Sequence, residues 1–199
     1  MEEMGDFRAI AGVSSTISRL LRDRMADLVP VTLAPPDVTV AGVSGKRLNV
    51  YLYQVTESCN LKNQEIPGQG PPSAYDHPPL SLDLHYLLTA HGSADTASNA
   101  DLEAQLVLGD AMRVLHDFPI VTDSLQITRS AVGTVGDPIL DPSLQNQLEE
   151  VKIALEPVAL EDLAKLWTAL PQARFRRSVT YLVSVVQIES ESLRRAPRV

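Results

Sequence analysis

The residue types suited to chemistry are few in this chain, and they are scattered. Asp83 and His85 stand two apart in Leu82-Asp-Leu-His-Tyr86, a spacing that puts both side chains on one face of a strand. A carboxylate beside an imidazole is an acid–base pair, and this is the best one the chain offers. A lone Asp-x-His on a solvent-facing strand is far more often surface decoration. The pair therefore founds only a rival reading, a small-ligand-binding or hydrolytic domain working from the Asp83/His85 face. The four histidines, His77, His85, His91 and His116, never stand four apart around a glutamate, so the helical zinc signature is absent. Cys59 is the single cysteine, which excludes an intrachain disulfide and a cysteine-based zinc site. Gly42-Val-Ser-Gly45 only echoes a nucleophile elbow, in a turn-like stretch. Gly68-Gln-Gly70 is followed by prolines rather than by a helix start, so it is no phosphate loop, and no Walker or dinucleotide motif occurs. Catalytic residues, metal and cofactor are all expected to be absent.

Composition narrows the classes further. Over 199 residues, 44% hydrophobic and 21% charged content are those of one ordinary globular domain. A net charge of −8 argues against nucleic-acid binding, and 5% aromatics leave no stacking platform. Tyr51 and Tyr53 read as cross-strand packing. Basic residues cluster in three places: Arg8, Arg19 and Arg22 on one helical face, then Arg174, Arg176 and Arg177, then a tail with Arg194, Arg195 and Arg198. An acidic body with basic patches suits head-to-tail pairing of copies; solvated surface charge is the blander alternative. No apolar run approaches the roughly 18 residues of a membrane span. The opening Met1-Glu-Glu-Met-Gly-Asp6 is acidic, without the basic region and apolar core of a secretory signal. Synthesis and assembly in the cytoplasm, without membrane insertion, are expected.

The elements that position these residues follow from periodicity. Ile10, Val13, Ile17, Leu20 and Leu21 predict a helix over Phe7 to Leu28, with Asp6 as N-cap. Val29 to Pro36 reads as a Pro-broken connection, Val38 to Val40 as a short strand and Arg47 to Val55 as a stronger one. A Pro-rich arm at about 56–79, with no periodicity, is long enough to be functional. Ser81 to Ala90 alternates as a strand, with Leu82, Leu84, Tyr86 and Leu88 opposite Asp83, His85 and Leu87. A helix then runs to His116 on Val107, Ala111, Val114, Leu115 and Phe118, with Ser98 and Asp101 as its capping signal. Ser124 to Thr128 reads as a strand, Ser143 to Leu148 as one helical turn, and Val151, Ile153 and Leu155 as an alternating strand. Glu149 and Glu150 read as solvated. Leu160, Leu163, Ala164, Trp167 and Leu170 make a short helix that Pro171 closes; the strand from Arg174 to Ile188 follows, and the two read as the core nucleus. The sum is three helices with about five or six strands: an α+β single domain, a mostly antiparallel sheet with helices packed on one face.

Several blocks then bear a resemblance. Asn49-Val-Tyr-Leu-Tyr-Gln-Val55, Asn60-Leu-Lys-Asn63 and Pro78-Pro-Leu-Ser-Leu-Asp-Leu-His-Tyr-Leu-Leu-Thr-Ala90 come first. Leu106-Val-Leu-Gly-Asp-Ala111, Leu163-Ala-Lys-Leu-Trp-Thr-Ala-Leu170 and Arg176-Arg-Ser-Val-Thr-Tyr-Leu-Val-Ser-Val185 follow in order. Together, over nearly the whole chain, they resemble the N-terminal domain of the tail terminator, or cap, of contractile injection systems of the antifeeding-prophage and virulence-cassette type. The resemblance implies a phage tail-terminator-like α+β fold and a structural, non-enzymatic role. It implies a homo-hexameric ring that ends tube and sheath polymerisation and joins the last layers, with sheath and inner-tube subunits as partners. Another tail component, such as a baseplate adaptor, is the neighbouring alternative. The expected interface residues are Arg8, Arg19, Arg22, Leu61, Lys62, Asn63, Arg174, Arg176, Arg177, Arg194 and Arg195. The arm and an exposed sheet edge are the places expected to meet a neighbour.

Overall fold

The longest alternating stretches of the chain lie side by side in the middle of one sheet. The computed structural model describes residues 7–36, 45–59, 61, 75–76, 79–93, 99–145, 147, 150–170, 175–188 and 193–194. In chain order the elements are α1 (Ala9–Arg24), β1 (Val31–Thr32), β2 (Arg47–Glu57), β3 (Tyr75–Asp76), β4 (Leu80–His91), α2 (Ala100–Asp117) and β5 (Ile120–Val121). A 3-10 turn (Pro142–Leu144), β6 (Val151–Glu156), α3 (Leu160–Thr168), β7 (Ser178–Ile188) and β8 (Leu193–Arg194) follow. Six strands form one sheet in the order β1-β2-β4-β7-β6-β5, with β1 parallel to β2 and the other neighbours antiparallel. β3 pairs with β8 in a separate two-stranded sheet, so the end of the Pro-rich arm meets the chain's own C-terminal segment.

Periodicity explains the core. Leu84, Tyr86, Leu88 and Ala90 of β4 join Leu48 and Val50 of β2, Tyr181 and Val183 of β7, and Val151 and Ile153 of β6 on one face. α1 covers that face with Ala9, Val13, Ile17, Leu20 and Leu21, and α2 with Val107, Ala111, Val114 and Leu115. Successive strand residues point to opposite faces, so Leu87 and Thr89, also buried, lie on the other side. α3 stands on that side, where its Leu163 and Leu166 share a cleft with His85. The helices expected on one face are thus divided, with α1 and α2 on one side of the sheet and α3 on the other.

Hydrogen bonds fix the angle between α1 and its surroundings. Ser14 Oγ and the Tyr86 hydroxyl are 2.8 Å apart, which satisfies a polar group that burial would otherwise leave unpaired. Burial pushes the Tyr86 phenol up to about 12, although the Ser14 hydrogen bond opposes it. The 3-10 turn packs so closely on α1 that a Cβ at Gly12 would lie 2.1 Å from Ser143 Oγ. α1 stops at Arg24 rather than Leu28 because α2 takes over its end: Arg113 Nη2 donates to Arg24 O at 3.2 Å, and Ala26 N donates to Asp110 Oδ2 at 2.6 Å.

The stretch 122–141 is irregular but tightly held. Asp23 is 1% exposed and accepts from Thr128 N (2.9 Å), Thr128 Oγ1 (2.9 Å) and Arg129 N (2.7 Å), with Arg24 Nε at 3.2 Å. The stretch's own Ile127, Ile139 and Leu140 are buried.

Several expectations need correction. Ser124–Thr128 is not a strand; its one bridge pairs Gln126 with Pro138, and the strand is Ile120–Val121. Val31–Thr32, read as connection, is a parallel edge strand too short to show a period. Leu155 is 55% exposed because β5 pairs only with Val151 and Lys152, leaving the far end of β6 uncovered. Leu160 is 71% exposed and Ala164 is exposed, so only a narrow side of α3 is covered. Trp167 is buried, yet it stands outside the main cluster, donating Nε1–H to Ser178 Oγ at 3.1 Å; α3 is a cover on the sheet, not the core nucleus. Asp6, Val38–Val40, Gly42–Ser44, Ser98, Glu149, Pro171 and most of the arm lie outside the described residues.

Glycine substitutions test this packing. At Gly92 a Cβ would lie 2.1 Å from the Ala100 carbonyl oxygen and 2.8 Å from its carbon, backbone that cannot swing away. Gly92→Ala is expected to cost about 3 kcal/mol in denaturant unfolding, and Gly12→Ala about 1–2 kcal/mol because a serine side chain can give. Gly109, exposed in the middle of α2 with nothing within 4 Å of its missing Cβ, is the control. Gly109→Ala should stabilise by about 0.5–1 kcal/mol. Tyr86 sets an alkaline limit. Its folded value lies above the ordinary tyrosine value of 10.0, so its contribution is intact below pH 10 and is lost as pH rises toward 12. Stability should fall by roughly 3 kcal/mol across that window, and by less in Tyr86→Phe.

Candidate functional site

His85 projects from the face of β4 opposite Tyr86, and its partners come from strands on either side. Its Nδ1 lies 3.0 Å from Glu156 Oε2 and 3.1 Å from Oε1, and its Nε2 lies 3.1 Å from Thr56 Oγ1. In the neutral ring, Nδ1–H donates to the carboxylate and Nε2 accepts from the threonine hydroxyl. The Tyr53 hydroxyl donates to Glu156 Oε2 at 3.4 Å, and its ring lies 6.0 Å from the imidazole. Tyr53 reaches this position through a bulge, since the β2–β4 register shifts between Leu52 and Gln54. Burial pushes its phenol up to about 12, reinforced by the charge of Glu156 and by their hydrogen bond.

The Asp83–His85 pair of the rival reading is not what the fold builds. No hydrogen bond joins them among the described residues; Asp83 sits at a register shift between β4 and β7, and its Oδ1 is buried without a hydrogen-bond partner. The carboxylate that holds His85 is Glu156, 71 residues further along. Thr56, His85 and Glu156 repeat the order hydroxyl, imidazole, carboxylate of a nucleophilic triad. A nucleophile must open onto the space that holds substrate. The adjacent cleft of about 510 Å³ is lined by Tyr53, His85, Glu156, Leu163 and Leu166 among others, and Thr56 is not part of its wall. The threonine anchors the ring instead.

The expected interface arginines are dispersed. Arg19 Nη2 pairs with Asp141 at 3.4 Å and Arg22 Nη2 donates to Ala131 O at 3.3 Å, so both fasten the 122–141 stretch. Arg8 lies over the exposed Phe7 ring, 5.4 Å from its centroid. Arg177 is paired with Asp101, and this hydrogen bond is the main reason that the Asp101 carboxyl sits below its ordinary range. Arg176 and Arg177 line a second hollow of about 350 Å³ with Phe175 and the start of α2. Leu61 is half-buried, its amide bonded to Ser58 O at 3.4 Å, and Arg194 belongs to β8. Lys62, Asn63, Arg174 and Arg195 lie outside the described residues. Among those described, no group of three or more His, Cys, Asp or Glu is placed to hold a metal, and no helix is long and apolar enough to cross a membrane.

The profile of the Pvc16 N-terminal domain matches residues 12–199. The chain belongs to that family. Two solved structures share the fold of this Pvc16 N-terminal domain. One is the sheath/tube terminator of an extracellular contractile injection system, PVC, in its extended state, with TM-score 0.60 and 18% identity, covering 96% of this chain and 60% of that one. The other is the tube-terminating cap of the anti-feeding prophage, with TM-score 0.59 and 19% identity, covering 94% of this chain and 57% of that one. The chain therefore spans about 60% of the terminator's length, and at such identities the likeness is one of fold. No curated protein matches significantly.

Tyr53 reports on the cluster. Glu156→Gln removes the charge but not the burial, which is the larger cause of the raised value. The Tyr53 phenol should therefore fall below about 12 yet stay above 10.0, while Tyr86 remains near 12 as internal reference. A tyrosinate titration followed by NMR reads both.

Proposed function

We propose that this chain is the structural domain of a tail terminator: six copies close into a ring at the distal end of a contractile particle, stop tube and sheath growth and join the last layers. The observation that carries the reading is the fold, which matches a sheath/tube terminator and a tube-terminating cap over 96% and 94% of the chain. Membership of the Pvc16 N-terminal domain family supports it over 12–199. The role needs no bond-making, and the side chains around His85 hold one another rather than a substrate. Sheath and inner-tube subunits are the partners, with assembly in the cytoplasm before the particle is released. Nucleic acid and membrane take no part.

A closed ring of identical copies needs two different patches on each subunit. Arg8, Leu61–Asn63, the 174–177 segment and the segment at 194–195 are the places proposed to serve it, with Arg19 and Arg22 as supports behind them. Deleting the chain from a producing strain should yield tubes and sheaths of unregulated length, counted by negative-stain microscopy. Wild-type particles should show a six-fold ring at one end. Particles that finish at normal length in the deletion strain would sink the reading.

A further inference from the structure

The hollow between α3 and the sheet has a composition that a mere packing gap would not. Its floor is Glu156, a carboxylate with room for about four hydrogen bonds. His85 bridges its two oxygens at 3.0 and 3.1 Å, and Tyr53 adds a long contact at 3.4 Å. Capacity remains, and the side chain is 24% exposed toward the cleft it lines. His85 is itself held by Thr56, so the carboxylate is aimed before any partner arrives. Leu163 and Leu166, three apart on α3, form an apolar wall. At the rim stands a second carboxylate, Asp162, 62% exposed with one oxygen held by Lys165 Nζ at 2.7 Å.

We propose that this cleft receives the basic side chain of a neighbouring protein subunit, with the aliphatic stem along Leu163 and Leu166 and the cationic head on Glu156. Lysine and arginine are built for such a site, since their stems cover apolar surface while their heads seek a counter-charge. An arginine has the further advantage of a planar fork matched to a carboxylate. An anion would meet the Glu156 carboxylate, and an apolar side chain would bury that carboxylate without a cationic partner. The site stands whether or not the chain caps a particle.

Titration of the isotope-labelled full chain with butylguanidinium, followed by NMR, tests it. A fragment of that size is expected to bind with a Kd on the order of 1 mM. Saturable shifts should appear at His85, Leu163 and Leu166, weaken at least about tenfold in Glu156→Gln, and weaken less in Asp162→Asn. Unchanged Tyr86 signals certify the fold of each variant; if Glu156→Gln unfolds, Asp162→Asn carries the comparison. No saturable shift at these residues, an equal response to butyrate, or shifts indifferent to the substitution would overturn the proposal. A particle-length result against the cap reading leaves every one of these outcomes readable.

Discussion

The central constraint is that β4 is buried on both faces while lying between the two other long strands. Leu84, Tyr86 and Leu88 are 0% exposed on one side, and Leu87 and Thr89 are 0% exposed on the other. A strand in that position needs a cover on each face. α1 and α2 supply one, and α3 helps to supply the other. Two polar side chains of the strand, one on each face, find partners on their own side. Tyr86 finds Ser14, which sets the rotation of α1 and brings Gly12 against the 3-10 turn. His85, one residue away and facing the opposite direction, finds Thr56 and Glu156 and so shapes the cleft under α3.

Where a residue's fate was decided by local period, the sequence was readable. The buried stripes of α1 and α2 and the alternation of Leu48 with Val50 and of Leu84 with Tyr86 and Leu88 follow from spacing alone. What stayed hidden depended on partners distant in the chain. Nothing near Val31–Thr32 announces a strand, because two residues have no period and their order comes from pairing with Leu48 and Asn49. Leu155 carries the right alternation and still faces solvent, since its cover would have to come from a β5 that is too short. Glu156 is the residue of the cleft that the sequence hides. At the end of a strand it looks like any solvated glutamate, and only the sheet order brings it to His85.

The 122–141 stretch shows the same lesson in charge. It has glycines, prolines and no period, yet it is fixed by Asp23, whose carboxylate replaces the backbone partners that an irregular segment lacks. A carboxylate that is 1% exposed tolerates burial only when fully bonded. Three donors and the Arg24 guanidinium meet that need. Arg19 and Arg22 extend the clamp to Asp141 and Ala131. Arginines that look like a partner surface on a helical wheel are thus largely used inside the chain.

That use changes which forces could close a ring on the cap reading. Exposed ion pairs contribute about 0–1 kcal/mol each and are screened by salt. Arg19, Arg22 and Arg177 already have partners within the subunit, so recruiting them to an interface would exchange one pairing for another. Burying one exposed leucine or phenylalanine contributes about 1.5–3 kcal/mol. Phe7, Leu102, Leu106, Leu155, Leu160 and Phe175 are each more than half exposed and are spread over both faces of the sheet. Apolar contact therefore has more to give than attraction between an acidic body and basic patches, with charge choosing orientation rather than supplying most of the strength.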